Sequence, residues 1–116
     1  MTYTPKVYFV SNVFSPKEIG SNEKISEKFR IIINELWQEL ENIANIKIFN
    51  GRFPSETQIK NKVQTFKPDI LGCHLSHKIS SEILKNSNIF AISTATAGYN
   101  HIEKTEEDDI IISHTP

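Results

Sequence analysis

Apolar and polar positions alternate along the chain in two rhythms. Short, nearly continuous apolar runs suit strands buried on both faces, and longer stretches repeat at spacings of three and four, as helices do. "KVYFV", Lys6 to Val10, is the first strand run. "SNVFSPKEIGSNE" follows, and Pro16 and Gly20 give it the turn chemistry of a loop. Ile25, Phe29, Ile32, Leu36, Leu40 and Ile43 then mark one stripe of a long helix ending near Asn45. Lys24, Glu27, Lys28, Glu35 and Glu39 fall largely off that stripe.

"IKIF", Ile46 to Phe49, is a short strand closed by Asn50-Gly51. "PSETQIKNKVQTF" is a helix with capping-box spacing between Ser55 and Gln58 and an apolar face of Ile59, Val63 and Phe66; Pro68 stops it. "DILGCHL" is a third strand, and "ISSEILKN" a short helix capped by Ser80, with Ile79 and Leu84 as a hydrophobic staple. "FAISTA" and "DIIIS" are the fourth and fifth strands, with room for only a turn or two of helix between them. Regular alternation of this kind predicts an α/β, flavodoxin-like three-layer sandwich. Its five-stranded parallel sheet has the order 2-1-3-4-5.

The chain of 116 residues has room for one domain. Thirteen basic and 14 acidic residues are scattered and leave a net charge of -1, so no field gathers nucleic acid or an anionic membrane. No apolar run approaches the ~20 residues that span a bilayer. The N-terminus reads as a strand, not a signal peptide. Cys73 is the only cysteine, which points to a reducing, cytoplasmic setting.

In sheets of this kind ligands bind beyond the carboxyl ends of the strands. Those ends are Ser11-Asn12, His74 to His77, Thr96 to Tyr99, and His114-Thr115. All four histidines map to this one edge. Imidazole and thiolate suit zinc, but no acidic ligand is placed with them and Cys73 belongs to a strand, so they read as loop histidines and no metal is expected. Gly20, Gly51, Gly72 and Gly98 are too far apart for the G-x-G-x-x-G that lets backbone approach a pyrophosphate, so no cofactor-binding residue is expected either. Gly98 reads as a plain turn glycine or as a point of close backbone approach.

From Pro68 onward, "PDILGCHLSHKISSEILKNSNIFAISTATAGYNHIE…DDIIISHTP" resembles the N-terminal part of the D-isomer-specific 2-hydroxyacid dehydrogenases. Glyoxylate and hydroxypyruvate reductases and phosphoglycerate dehydrogenases are of this family. Ala97, Gly98, Tyr99, Asn100 and Ile102 match its glycine turn, "LSHKIS" its loop after the third strand, and Ser113 to Pro116 the segment that leaves this domain. The first helix is longer than the family's, and Thr96 stands where a glycine is common.

The resemblance implies that the backbone N–H groups of Ala97 and Gly98 hold the carboxylate of a 2-oxo or 2-hydroxy acid. Leu75 and Ser76 then form the wall against the rest of the substrate, and Tyr99 and Asn100 fix the turn. In the family a separate dinucleotide-binding domain binds NAD or NADP and supplies the catalytic arginine, glutamate and histidine. Residues 1–116 are therefore expected to be a substrate-binding domain without catalytic residues of its own, inactive alone. The other reading is a stand-alone flavodoxin-like module that binds a small molecule, or a metal through the histidine edge.

Overall fold

The computed structural model describes residues 3–13, 15–74, 77–85, 87–95, 101–103 and 109–114. Strands β1 (Lys6–Phe9), β2 (Asn45–Ile48), β3 (Ile70–Cys73), β4 (Ala91–Thr94) and β5 (Ile111–His114) form one sheet in the order β2-β1-β3-β4-β5. Every pair is parallel. The expected architecture and strand order are those observed.

The register sorts the two faces. Tyr8, Leu71, Ile92 and Ile112 lie side by side across β1, β3, β4 and β5, and Phe9, Gly72, Ser93 and Ser113 form the adjacent row. Successive residues point to opposite faces, so these rows belong to different layers. The Tyr8 row meets α3 (Glu56–Phe66) and α4 (Ser81–Leu84), where Ile59, Val63, Phe66, Ile83 and Leu84 complete the main core. The Ser55–Gln58 capping box forms as expected, and Lys67 closes α3 in the left-handed conformation just before Pro68.

The opposite layer differs from expectation. Pro16–Ser21 is a helix, α1, not a loop. The Ser15 hydroxyl accepts from the Glu18 amide at its start, and Pro16 sits in its first turn, where a missing N–H is harmless. The turn chemistry of Pro16 was therefore the start signal of a helix. Helix α2 (Glu27–Ile43) is capped by Ser26. Its only buried side chain is Trp37, whose ring lies 4.9 Å from that of Phe9. Four of the six residues of the stripe read from the sequence face outward instead: Phe29 is 62% exposed, Ile32 45%, Leu36 59% and Ile43 66%, while Ile25 and Leu40 are half-buried. The helix is amphipathic, but a second row containing Arg30, Ile33, Trp37 and Leu40 is the one turned inward.

Beyond Gly72 this second face loses its cover. Ser93 and Ser113 are exposed, and Ile111 is 69% exposed. Right-handed crossovers account for this. The β1-to-β2 connection runs one way along the sheet and the later connections run the other way, so among the described helices only α1 and α2 fall on this side.

Candidate functional site

The carboxyl edge of the sheet is organised by two loops tied together at both ends. At the start, Cys73 and Thr94 are register partners, and the Ala95 amide donates to the Cys73 carbonyl at 3.0 Å. At the finish, Ile79 and Ile102 form a parallel bridge: the Ile79 amide donates to the His101 carbonyl at 2.9 Å and the Glu103 amide to the Ile79 carbonyl at 2.8 Å. Ile79 and Ile102 are buried in the main core, which fixes the bridge from below. The Ile79–Ile102 pairing therefore takes Ile102 into a bridge, and most of the stretch 100–108, where a turn or two of helix is expected, lies outside the described residues.

The expected substrate-binding residues Leu75, Ser76, Ala97 and Gly98 lie outside the described residues, as do Tyr99 and Asn100. Their flanks are the two tied loops. The chain enters one at His74 and leaves it at His77; it enters the other at Ala95 and leaves it at His101.

All four histidines stand at this edge. His77 is 2% exposed. Its Nε2 lies 2.7 Å from the Arg52 carbonyl and its Nδ1 accepts the His74 amide proton at 3.2 Å. A carbonyl can only accept, so the Nε2 carries the proton and the ring is neutral in this arrangement. His77 thereby joins the loop after β2 to the loop after β3. The His74 ring is 3.9 Å from that of His77, and the His101 Nε2 lies 3.0 Å from the Thr94 hydroxyl and 3.9 Å from the Cys73 sulfur. The His101 Nδ1 is buried with no hydrogen-bond partner among the described residues.

Burial, and then the neighbouring histidines His77 and His101, hold the His74 pKa below the ordinary imidazole value. Burial and then His77 do the same to His101. Among the described residues no carboxylate contributes to either shift. Burial pushes the Cys73 thiol up to about 11, so it stays protonated and non-nucleophilic near neutrality. The edge therefore disfavours the charged form of the His74 and His101 rings. Among the described residues no group of three or more His, Cys, Asp or Glu side chains is arranged to hold a metal ion. Ser80 departs from the expected cap as well: its hydroxyl donates to Glu56 at the start of α3 and makes no capping bond to α4.

A cavity of about 310 Å³ opens on the second sheet face at this same end, between Phe9, Trp37, Gly72, Ser93, Ser113 and His114. Two of the described glycines have local roles: a Cβ on Gly72 would lie 2.5 Å from the Phe9 ring, so that glycine serves side-chain packing, and Gly20 lies inside α1. The sequence signals for the Ile79–Ile102 bridge were weak, because both isoleucines read equally well as ordinary core. The His77 contact with a carbonyl 25 residues away had no signal at all.

No protein-family model matches the chain, and no curated protein matches it. Among solved structures it is similar to one from Polaromonas sp. JS6 66, described as a candidate D-isomer specific 2-hydroxyacid dehydrogenase, NAD-binding, with a TM-score of 0.72 and 16% identity. The match covers 98% of this chain and 31% of that chain. At this identity the likeness is one of fold.

Proposed function

We propose that this chain is the substrate-binding domain of an NAD(P)-dependent D-2-hydroxyacid dehydrogenase, which interconverts 2-oxo acids and D-2-hydroxy acids by hydride transfer. The observation that carries the proposal is the pair of loops held together by the Cys73–Thr94 pairing and the Ile79–Ile102 bridge. That pairing brings the flanks of Leu75-Ser76 and of Ala97-Gly98 to one edge of the sheet. The fold shared with the Polaromonas protein supports it.

In this proposal the Ala97 and Gly98 amides hold the substrate carboxylate, and Leu75 and Ser76 line the other side. Main-chain N–H groups suit this role, because a turn with several free donors concentrates partial positive charge without a titratable group. The neutral histidines add no fixed counter-charge, which leaves the acid to the backbone. Hydride comes from NAD or NADP held by a separate dinucleotide-binding domain. An acid/base must also be positioned against the carbonyl, and the present residues are not assigned that step.

The test is a ligand-observed NMR titration of the chain with glyoxylate and hydroxypyruvate, with acetamide as a control of similar size without a carboxylate. Saturation transfer to both acids, and none to acetamide, is expected. NADH oxidation by the chain alone is expected to be absent. Equal transfer to acetamide, or none to the acids at tens of millimolar, would contradict the proposal.

A further inference from the structure

The turn that follows β3 is closed by two bonds between the same two residues. The His77 amide donates to the His74 carbonyl at 3.0 Å, and the His74 amide donates to the His77 Nδ1 at 3.2 Å. The second bond folds the imidazole back over its own turn. There its Nε2 donates to the Arg52 carbonyl at 2.7 Å, and the Phe53 ring lies 6.4 Å away. The His77 ring is thus the link between the loop after β2 and the loop after β3, and the carboxylate site makes no use of it.

This link exists in one charge state only. A neutral imidazole accepts at one nitrogen, whereas imidazolium carries a proton on both. Protonation therefore turns the Nδ1 into a donor facing the N–H of His74, while the Nε2 donates in either state. The surroundings oppose the cation as well. His77 is 2% exposed, and its ring centre is 3.9 Å from that of His74. The titratable and charged groups on the elements around it are His74 on its own turn, Lys78 beside it, Arg52 and Glu56 after β2, and His101 and Glu103 after β4. Glu56 accepts from the Ser80 hydroxyl, and Glu103 lies 3.7 Å from Lys78. Among the described residues no carboxylate pairs with the His77 ring. A buried charge without a partner is driven toward water.

We propose that His77 is an acid-released latch: when its ring takes up a proton, the link between the two loops opens at its His74 end while the sheet stays folded. Imidazole is the side chain whose charge changes between about pH 5 and 8, so mild acid is the signal. The bond is present while the ring is neutral and is lost as pH falls. The Ile79–Ile102 bridge beyond the turn consists of main-chain bonds and does not titrate, which confines the opening to the turn. The latch needs no ligand and stands apart from the carboxylate site.

NMR of the ¹⁵N-labelled chain tests this. Long-range ¹H–¹⁵N correlations of the His77 ring at pH 7.5 are expected to show the Nε2–H tautomer. Protection of the His74 amide from hydrogen exchange, relative to that of the Tyr8 amide in β1, is then followed from pH 7.5 to 5. The ratio is expected to fall by roughly tenfold or more, since one pH unit shifts a protonation-coupled opening by up to about tenfold. His77→Asn keeps an acceptor for the His74 amide and cannot titrate, so its ratio is expected to stay level with pH. His77→Gln keeps a donor for the Arg52 carbonyl but lacks the acceptor, so His74 is expected to exchange fast at every pH. A level ratio in the native chain overturns the latch, and so does an Nδ1–H tautomer at pH 7.5. A pH dependence that persists in His77→Asn overturns it too, and assigns the opening to His74 or His101. The two measurements on the native chain decide the matter even where a variant does not fold.

Discussion

The His77 imidazole bridges the Arg52 carbonyl and the His74 amide, and so locks the loop after β2 to the loop after β3. Both of its nitrogens are used, and the ring is almost entirely buried. The Ile79–Ile102 bridge begins two residues later. One side chain therefore sets the floor on which the tied loops rest.

Replacing His77 by alanine removes both part-buried bonds and opens the Arg52 carbonyl and the His74 amide to water. A hydrogen bond of this kind is worth about 0.5–1.5 kcal/mol net. His77→Ala is expected to lower unfolding free energy by about 1–3 kcal/mol in urea titrations, on the same basis. Amide exchange at His74 and Ile79 should accelerate more than in β1. A loss below ~0.5 kcal/mol would show that the two bonds are replaced by water at no cost.

Acid should weaken the fold through His74 and His101. Both pKa values are held below the ordinary value of 6.5 by burial first, so below that value the unfolded chain binds more protons than the folded one. Stability from this source is complete above pH 6.5 and falls as pH drops toward the folded-state values. Urea midpoints measured from pH 7.5 down to 5 should decline in this window. The double variant His74→Gln/His101→Gln should flatten the decline. An unchanged slope in that variant would assign the acid sensitivity to other groups.

The Phe9 ring lies across Gly72, with Trp37 stacked at a tilt beyond it. A methyl group at position 72 meets the ring at 2.5 Å, and the ring has Trp37 behind it. Gly72→Ala should therefore cost about 1–3 kcal/mol, as overpacking does. Adding Phe9→Leu should recover part of that loss, since the smaller side chain leaves room for the methyl. If the double variant is less stable than the sum of the two single variants, the clash is not the cause.

The strands, their order and the main core were legible because each strand is a compact apolar run and each crossover has an obligatory hand. α1 was misread because proline and glycine mark both turns and helix starts. Ser15, Pro16 and Glu18 carried the start signal, and it was outweighed by Gly20. The α2 stripe was found but its direction was not, because two overlapping rows of apolar residues run along that helix. Only the tertiary packing of Trp37 on Phe9 decides which row turns inward. The histidine edge was legible as a place. Its contacts were not, since a side chain reaching a backbone carbonyl leaves no trace in residue spacing. Leu75, Ser76, Ala97 and Gly98 rest on the family resemblance and on the tied loops that flank them.

The carboxylate site can be located residue by residue. A ¹⁵N-labelled chain is titrated with glyoxylate while its backbone amide resonances are followed, and the titration is repeated on Gly98→Val. The Ala97 and Gly98 amides should move furthest, with smaller shifts at Leu75 and Ser76. Gly98→Val should abolish those shifts while the β-strand resonances keep their positions. Shifts confined to the Phe9–Trp37–Ser113 cavity, or glyoxylate binding that survives in Gly98→Val, would contradict a carboxylate cradle at this turn.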